Sequence, residues 1–181
     1  MTGSACIRKR FRTIRLGLSL SVFLLVSGCG YHFSGVKGET PFSPNLKTIT
    51  VESALNKTTI TGIETELTND LRDEFALGTR LKPVRSGGDV TLKTVIASYE
   101  DMASMYRADG KELTRIGTLR VNCVLERVEP QKILWKKNLS ASYSYNVTDS
   151  ISGTLTNRRL AISRMIKDLV PRIHRSMYDK F

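Results

Sequence analysis

The residue best placed for covalent chemistry is Cys29, which closes the run Val26-Ser27-Gly28-Cys29 and gives it the form of a lipobox. Two small residues give a signal peptidase access to the backbone, and the thiol after them is the atom that takes the lipid. The preceding residues fit that use. Residues 1–15 carry Arg8, Lys9, Arg10, Arg12 and Arg15 and no acid, and residues 16–26 form an apolar run of 11 residues. Such a run is too short to span a bilayer and suits the apolar core of a secretory signal peptide. Residues 1–28 are therefore expected to be removed, leaving Cys29 at the mature N-terminus. Its acyl lipid would be the one covalent group, with no other cofactor and no metal.

Other chemistries find little support. The two histidines are His32 and His174, and once Cys6 goes with the leader and Cys29 with the lipid, Cys123 is the remaining thiol. No disulfide within the mature chain and no zinc-ligand spacing can be built from these. No Gly-x-Ser-x-Gly elbow, glycine-rich phosphate loop or His-Glu-x-x-His is present. Glu66, Asp70, Asp73 and Glu74 lie off the apolar stripe of a helix with no histidine or nucleophile beside them. They read as a solvated face, and no catalytic residue is expected.

The basic residues are more informative. Arg107 and Lys111 bracket a turn, Lys136 and Lys137 follow Trp135, and Arg158 and Arg159 fall where the last helix is expected to open. Cations oppose the dipole at a helix start, so their presence there favours an anion contact. Arginine suits bidentate phosphate binding. An amphiphile with phosphorylated sugars and acyl chains would need such cations beside an apolar wall.

Composition sets the limits. The whole chain has 181 residues and a formal charge of +11; without the leader it has 153 residues, 23 basic and 17 acidic, a charge of +6. That suits a partner bearing phosphate or carboxylate groups. No block of five basic residues survives in the mature chain, so a nucleic-acid partner is not expected.

The elements that must position these residues follow in order. Residues 29–45 are rich in Gly, Ser and Pro and read as a tether, able to reach roughly 55 Å when extended. Residues 46–181 read as a single α+β domain. A first strand lies over 46–53 and an amphipathic helix over 61–77, with Thr61 and Glu64 as a capping box and Ile63, Leu67, Leu71 and Phe75 as its stripe. A short strand over 80–84 and a long one over 89–101 follow, then a mobile-looking loop over 102–114 with a tight turn at Asp109-Gly110. Leu119, Val121, Cys123 and Leu125 share a face of the next strand. Ile133, Trp135, Leu139, Ala141, Tyr143 and Tyr145 share a face of the last. Residues 146–157 read as loop, and a basic helix runs from about Asn157 with Ile162, Ile166, Leu169, Ile173 and Met177 as its stripe and Pro171 as an expected kink. The fold class is two helices on one face of a mostly antiparallel sheet of about four strands.

At Cys29-Gly30-Tyr31-His32-Phe33 the chain resembles the N-terminus of the LPS-assembly lipoprotein family, LptE. The likeness continues through Asn56-Lys57-Thr58, Gly62-Ile63-Glu64, Tyr99, Tyr106, Asp109-Gly110-Lys111, Ile133-Leu134-Trp135 and Leu139-Ser140-Ala141-Ser142-Tyr143. The resemblance implies an outer-membrane lipoprotein, anchored on the periplasmic side. It implies a domain that plugs the LPS-translocating β-barrel, LptD, helps the barrel mature, and contacts lipopolysaccharide on its way to the outer leaflet. It gives Gly30 the role of outer-membrane sorting signal. It makes Arg107 the first candidate for LPS contact, through the pattern Tyr106-Arg107…Gly110, and Arg158 a looser second; Lys111 joins them across the turn.

An alternative function of another class fits the same composition: a periplasm-facing lipoprotein serving as ligand-binding accessory to a lipid or solute transporter, with no barrel partner. An exposed Trp135/Tyr143/Tyr145 strip would favour a broad protein interface, and a closed apolar pocket would favour a ligand carrier.

Overall fold

A computed structural model describes residues 45–78 and 80–179. The expected leader, Cys29 and Gly30 with their expected lipidation and sorting roles, His32 and all of the expected tether but its last residue lie outside the described residues. Among the described residues there are six strands and two helices: β1 (Thr48–Val51), β2 (Leu55–Asn56), α1 (Ile63–Leu77), β3 (Lys82–Val84), β4 (Val90–Tyr106), β5 (Glu112–Arg127), β6 (Lys132–Asn146) and α2 (Ile151–Ser176). The α+β class is as expected; the sheet has six strands rather than about four.

The strand order is β3-β1-β4-β5-β6, with β2 also pairing β4. Helix α1 carries the chain from β1 back to β3, so those two strands run parallel, as such crossovers require. Strands β4, β5 and β6 form the expected antiparallel meander. Strand β2 is only two residues long, too short to leave an alternating pattern in the sequence. It resumes pairing with β4 after a break at which Ala54 N–H donates instead to Thr68 Oγ1 of α1 at 2.9 Å.

The apolar stripes read from the sequence meet in one core. Ile63, Leu67, Leu71 and Phe75 of α1 and Ile162, Ile166, Leu169 and Ile173 of α2 pack on Leu92, Ile96, Leu119, Val121, Cys123 and Leu125 of the sheet, all buried. Burial pushes the Cys123 thiol up to about 12, so it is a packing residue and not a nucleophile.

Four expectations need correction. The capping box is not formed by Thr61: Gly62, at φ +88°, is the N-cap, and the Glu64 carboxylate accepts from Gly62 N–H. Glycine takes this left-handed backbone without a Cβ penalty, which moves the helix start one residue on. Residues 102–114 are not a loop; both strands run through them and only 107–111 turns. Helix α2 begins six residues early, at Ile151, because Ser150 Oγ accepts from Gly153 N–H at 2.9 Å and caps it. Finally, a bulge shifts the register between the pairs Leu125–Trp135 and Glu126–Ile133, so Ile133 turns out to solvent while Trp135 turns in. The helix meanwhile runs through Pro171 to Ser176.

Candidate basic site at the hairpin end

The β4–β5 hairpin places Arg107 and Lys111 together. Arg107 N–H donates to Lys111 O at 2.7 Å and Gly110 N–H to Arg107 O at 3.0 Å, closing a tight turn around Asp109-Gly110. Asp109 steadies it by accepting from Lys111 N–H at 3.1 Å, and its carboxylate lies 3.8 Å from Lys111 Nζ. Arg107 reaches out of the hairpin to the β6–α2 connector, where Nη1 donates to Asp149 Oδ1 at 3.1 Å. So the turn at one end of the sheet is tied to the start of the last helix through one ion pair.

Arg158 is not part of that cluster. With α2 starting at Ile151, it lies two turns inside the helix, and the argument from an opposed helix dipole does not apply to it. Its guanidinium sits over the Tyr99 ring, 4.9 Å from the centroid, and Nε stands 3.6 Å from Asp101 Oδ2. Asp101 is six residues back from Arg107 along the chain, roughly 20 Å at strand rise.

Asp101 is the residue that sequence reasoning missed. It accepts from Tyr145 O–H at 2.6 Å and from Arg115 Nε at 2.5 Å, while Arg115 also holds Glu112. Burial alone would raise the Asp101 carboxyl, but the Tyr145 and Arg115 hydrogen bonds, with the Arg115 and Arg158 charges, hold it below the usual carboxylate range. Burial and the Asp101 hydrogen bond both push the Tyr145 hydroxyl up. This network fastens α2 to β4, β5 and β6. Alternation hid it: Val90, Leu92, Thr94 and Ile96 make up the buried face of β4, and only the register shift between Ile96 and Ser98 brings Asp101 to the same side as Tyr145.

Tyr145 and Trp135 are buried, so the aromatic strip is not exposed as such; only Tyr143 remains at the surface, with Arg164 stacked 4.9 Å from its ring centroid. The uncovered face instead carries Met102, Met105, Tyr106 and Ile116 near the hairpin end. Register shifts between Ala103 and Met105, and again before Tyr106, hold Met105 and Tyr106 on that face. An open cleft of about 420 Å³ lies between the start of α1 and the first turns of α2, lined by Ile60, Ile63, Leu155, Ile162, Arg158 and Arg159. It is a surface groove and not the closed apolar pocket of a ligand carrier. Among the described residues no group of three or more metal-ligating side chains comes together.

The family model for lipopolysaccharide assembly, LptE, matches residues 46–177. The chain belongs to the LptE family. No curated protein matches the sequence. Solved structures of similar fold include lipoprotein B of Nitrosomonas europaea, with a TM-score of 0.53, 15% identity, and coverage of 74% of this chain and 83% of that one. Rare lipoprotein B of Shewanella oneidensis is similar, with a TM-score of 0.51, 15% identity, and coverage of 71% and 92%. At such identities these structures show the fold alone. The matched span takes in both helices and the whole sheet, so this member is an LPS-assembly lipoprotein of a non-enzymatic accessory family. That family is associated with the outer membrane, and among the described residues no helix is long and apolar enough to cross a membrane.

Proposed function

We propose that this LptE family member is a non-catalytic plug and chaperone of the LPS-translocating β-barrel LptD, and that its hairpin end contacts lipopolysaccharide during delivery to the outer leaflet. The observation that carries the reading is the hairpin itself, which sets Arg107 and Lys111 on one tight turn at the end of a family-matched domain. Acyl chains on Cys29 hold the protein at the inner leaflet of the outer membrane, to which Gly30 directs it. Acyl burial gives about 0.8 kcal/mol per CH₂, so more than one chain anchors it stably. Sheet edges and loops meet the barrel wall. Arg107, with Lys111 and more remotely Arg158, competes for LPS phosphates that otherwise bind divalent cations.

The test is Arg107→Glu. Loss of a charge-assisted contact and gain of a repulsive one is expected to weaken LPS binding about tenfold or more, without unfolding the domain. Binding unchanged at matched ionic strength contradicts the assignment of Arg107.

A further inference from the structure

We propose that Asp149 sets the affinity of the Arg107 site, its carboxylate occupying the guanidinium until a phosphate of the ligand displaces it. This rests on the reading of Arg107 as an anion contact. The pair joins two backbones that are each held without it. On the hairpin side, the turn is closed by Arg107 N–H to Lys111 O and Gly110 N–H to Arg107 O. On the other side, Val147 N–H donates to Leu113 O at 2.9 Å, Thr148 N–H to Thr154 Oγ1 at 3.0 Å, and Gly153 N–H to Ser150 Oγ at 2.9 Å. Opening the ion pair therefore frees two charges and leaves both segments in place.

Exposure shows which partner yields. The Asp149 side chain is 83% exposed and that of Arg107 35%. Asp149 rehydrates at little cost, whereas the guanidinium is partly covered and its position is set by the turn. Asp101 is the opposite case: at 13% exposure, with Tyr145, Arg115 and Arg158 around it, it is mostly covered and held by several partners at once. A phosphate offers Arg107 the same fork of acceptor oxygens as a carboxylate, with more negative charge. It displaces a loosely held acid and would not displace one bound like Asp101.

The experiment compares variants of the full lipidated protein binding lipopolysaccharide in detergent micelles at fixed ionic strength. Asp149→Asn is expected to tighten binding about two- to five-fold, the range spanned by exposed ion pairs. Asp149→Glu keeps the charge and is expected to bind like the parent. The gain is expected to vanish in the Arg107→Gln background, and Asp168→Asn, which unpairs Arg172 on α2, is expected to give none. If Asp149→Asn binds no tighter while Arg107→Gln weakens binding, the role of Asp149 is overturned and Arg107 stands. If Arg107→Gln has no effect, the Arg107 reading fails and the Asp149 role with it. A gain that persists without Arg107, or that Asp168→Asn reproduces, is a general charge effect and also overturns the proposal.

Discussion

His174 stands where the C-terminal ends of the two helices meet, edge-on to Phe75 with ring centroids 5.0 Å apart and to Tyr178 at 5.1 Å. Its Nδ1 lies 3.5 Å from the Glu74 carboxylate. Burial lowers its pKa; Glu74 opposes this and the Arg80 charge adds to it, and the net direction is down. The folded state thus disfavours the proton that the unfolded chain accepts below about pH 6.5. The stability this group contributes is present above that pH and is lost as pH falls through the lower folded value. The thermal midpoint is expected to drop below about pH 6.5, before carboxylates such as Asp101 begin to protonate, and His174→Gln is expected to flatten that part of the profile. A profile unaltered by the substitution contradicts this placement of the proton. Arg107 and Lys111 were legible as single residues because a turn signal, Asp109-Gly110, lay between them. The acid that pairs with Arg107 was not: Asp149 is 42 residues away in sequence, and only the fold brings it to 3.1 Å.

At the scale of elements, periodicity was a reliable guide wherever one face is fully buried. The α1 stripe, the inward face of β5 and the α2 stripe all sit in the core as read. It failed where a strand leaves the helices behind. Beyond Asp101, β4 carries Met102, Met105 and Tyr106 exposed, so alternation is lost though pairing to β5 continues to Glu112. The start of α2 was missed for a related reason. Its first turns carry Ile151 and Leu155 exposed and depend on the Ser150 cap instead of burial. Ser150→Ala is accordingly expected to cost about 0.5–2 kcal/mol and to be seen as a lowered midpoint in denaturant unfolding, with no change in helix content beyond the first turn. A neutral substitution would mean that packing of later turns alone sets this helix boundary. Gly117 constrains the same region. A Cβ there would stand 2.6 Å from the Tyr99 hydroxyl, whose ring is held beneath Arg158. A side chain at position 117 would therefore have to displace the Tyr99 ring.

At the scale of the whole molecule, the described residues form a layered α+β domain, which the proposed function ties to a membrane through acyl chains on Cys29. Two helices cover one face of the sheet; among the described residues the other face and the hairpin end are uncovered, with apolar residues beside basic ones. Such a surface suits a partner that surrounds the domain better than a ligand that enters it. In the proposed function, the lipid sets where this happens. Cys29→Ala is expected to leave the domain folded and to release it from the membrane fraction; unchanged fractionation contradicts the lipid anchor. The measurement that bears most directly on the plug is to purify the tagged, lipidated protein from envelopes in mild detergent and identify what accompanies it. A large β-barrel in near one-to-one amount is the predicted result. Recovery of the protein alone, or with an inner-membrane transporter, would contradict the plug and move the function to a transporter accessory.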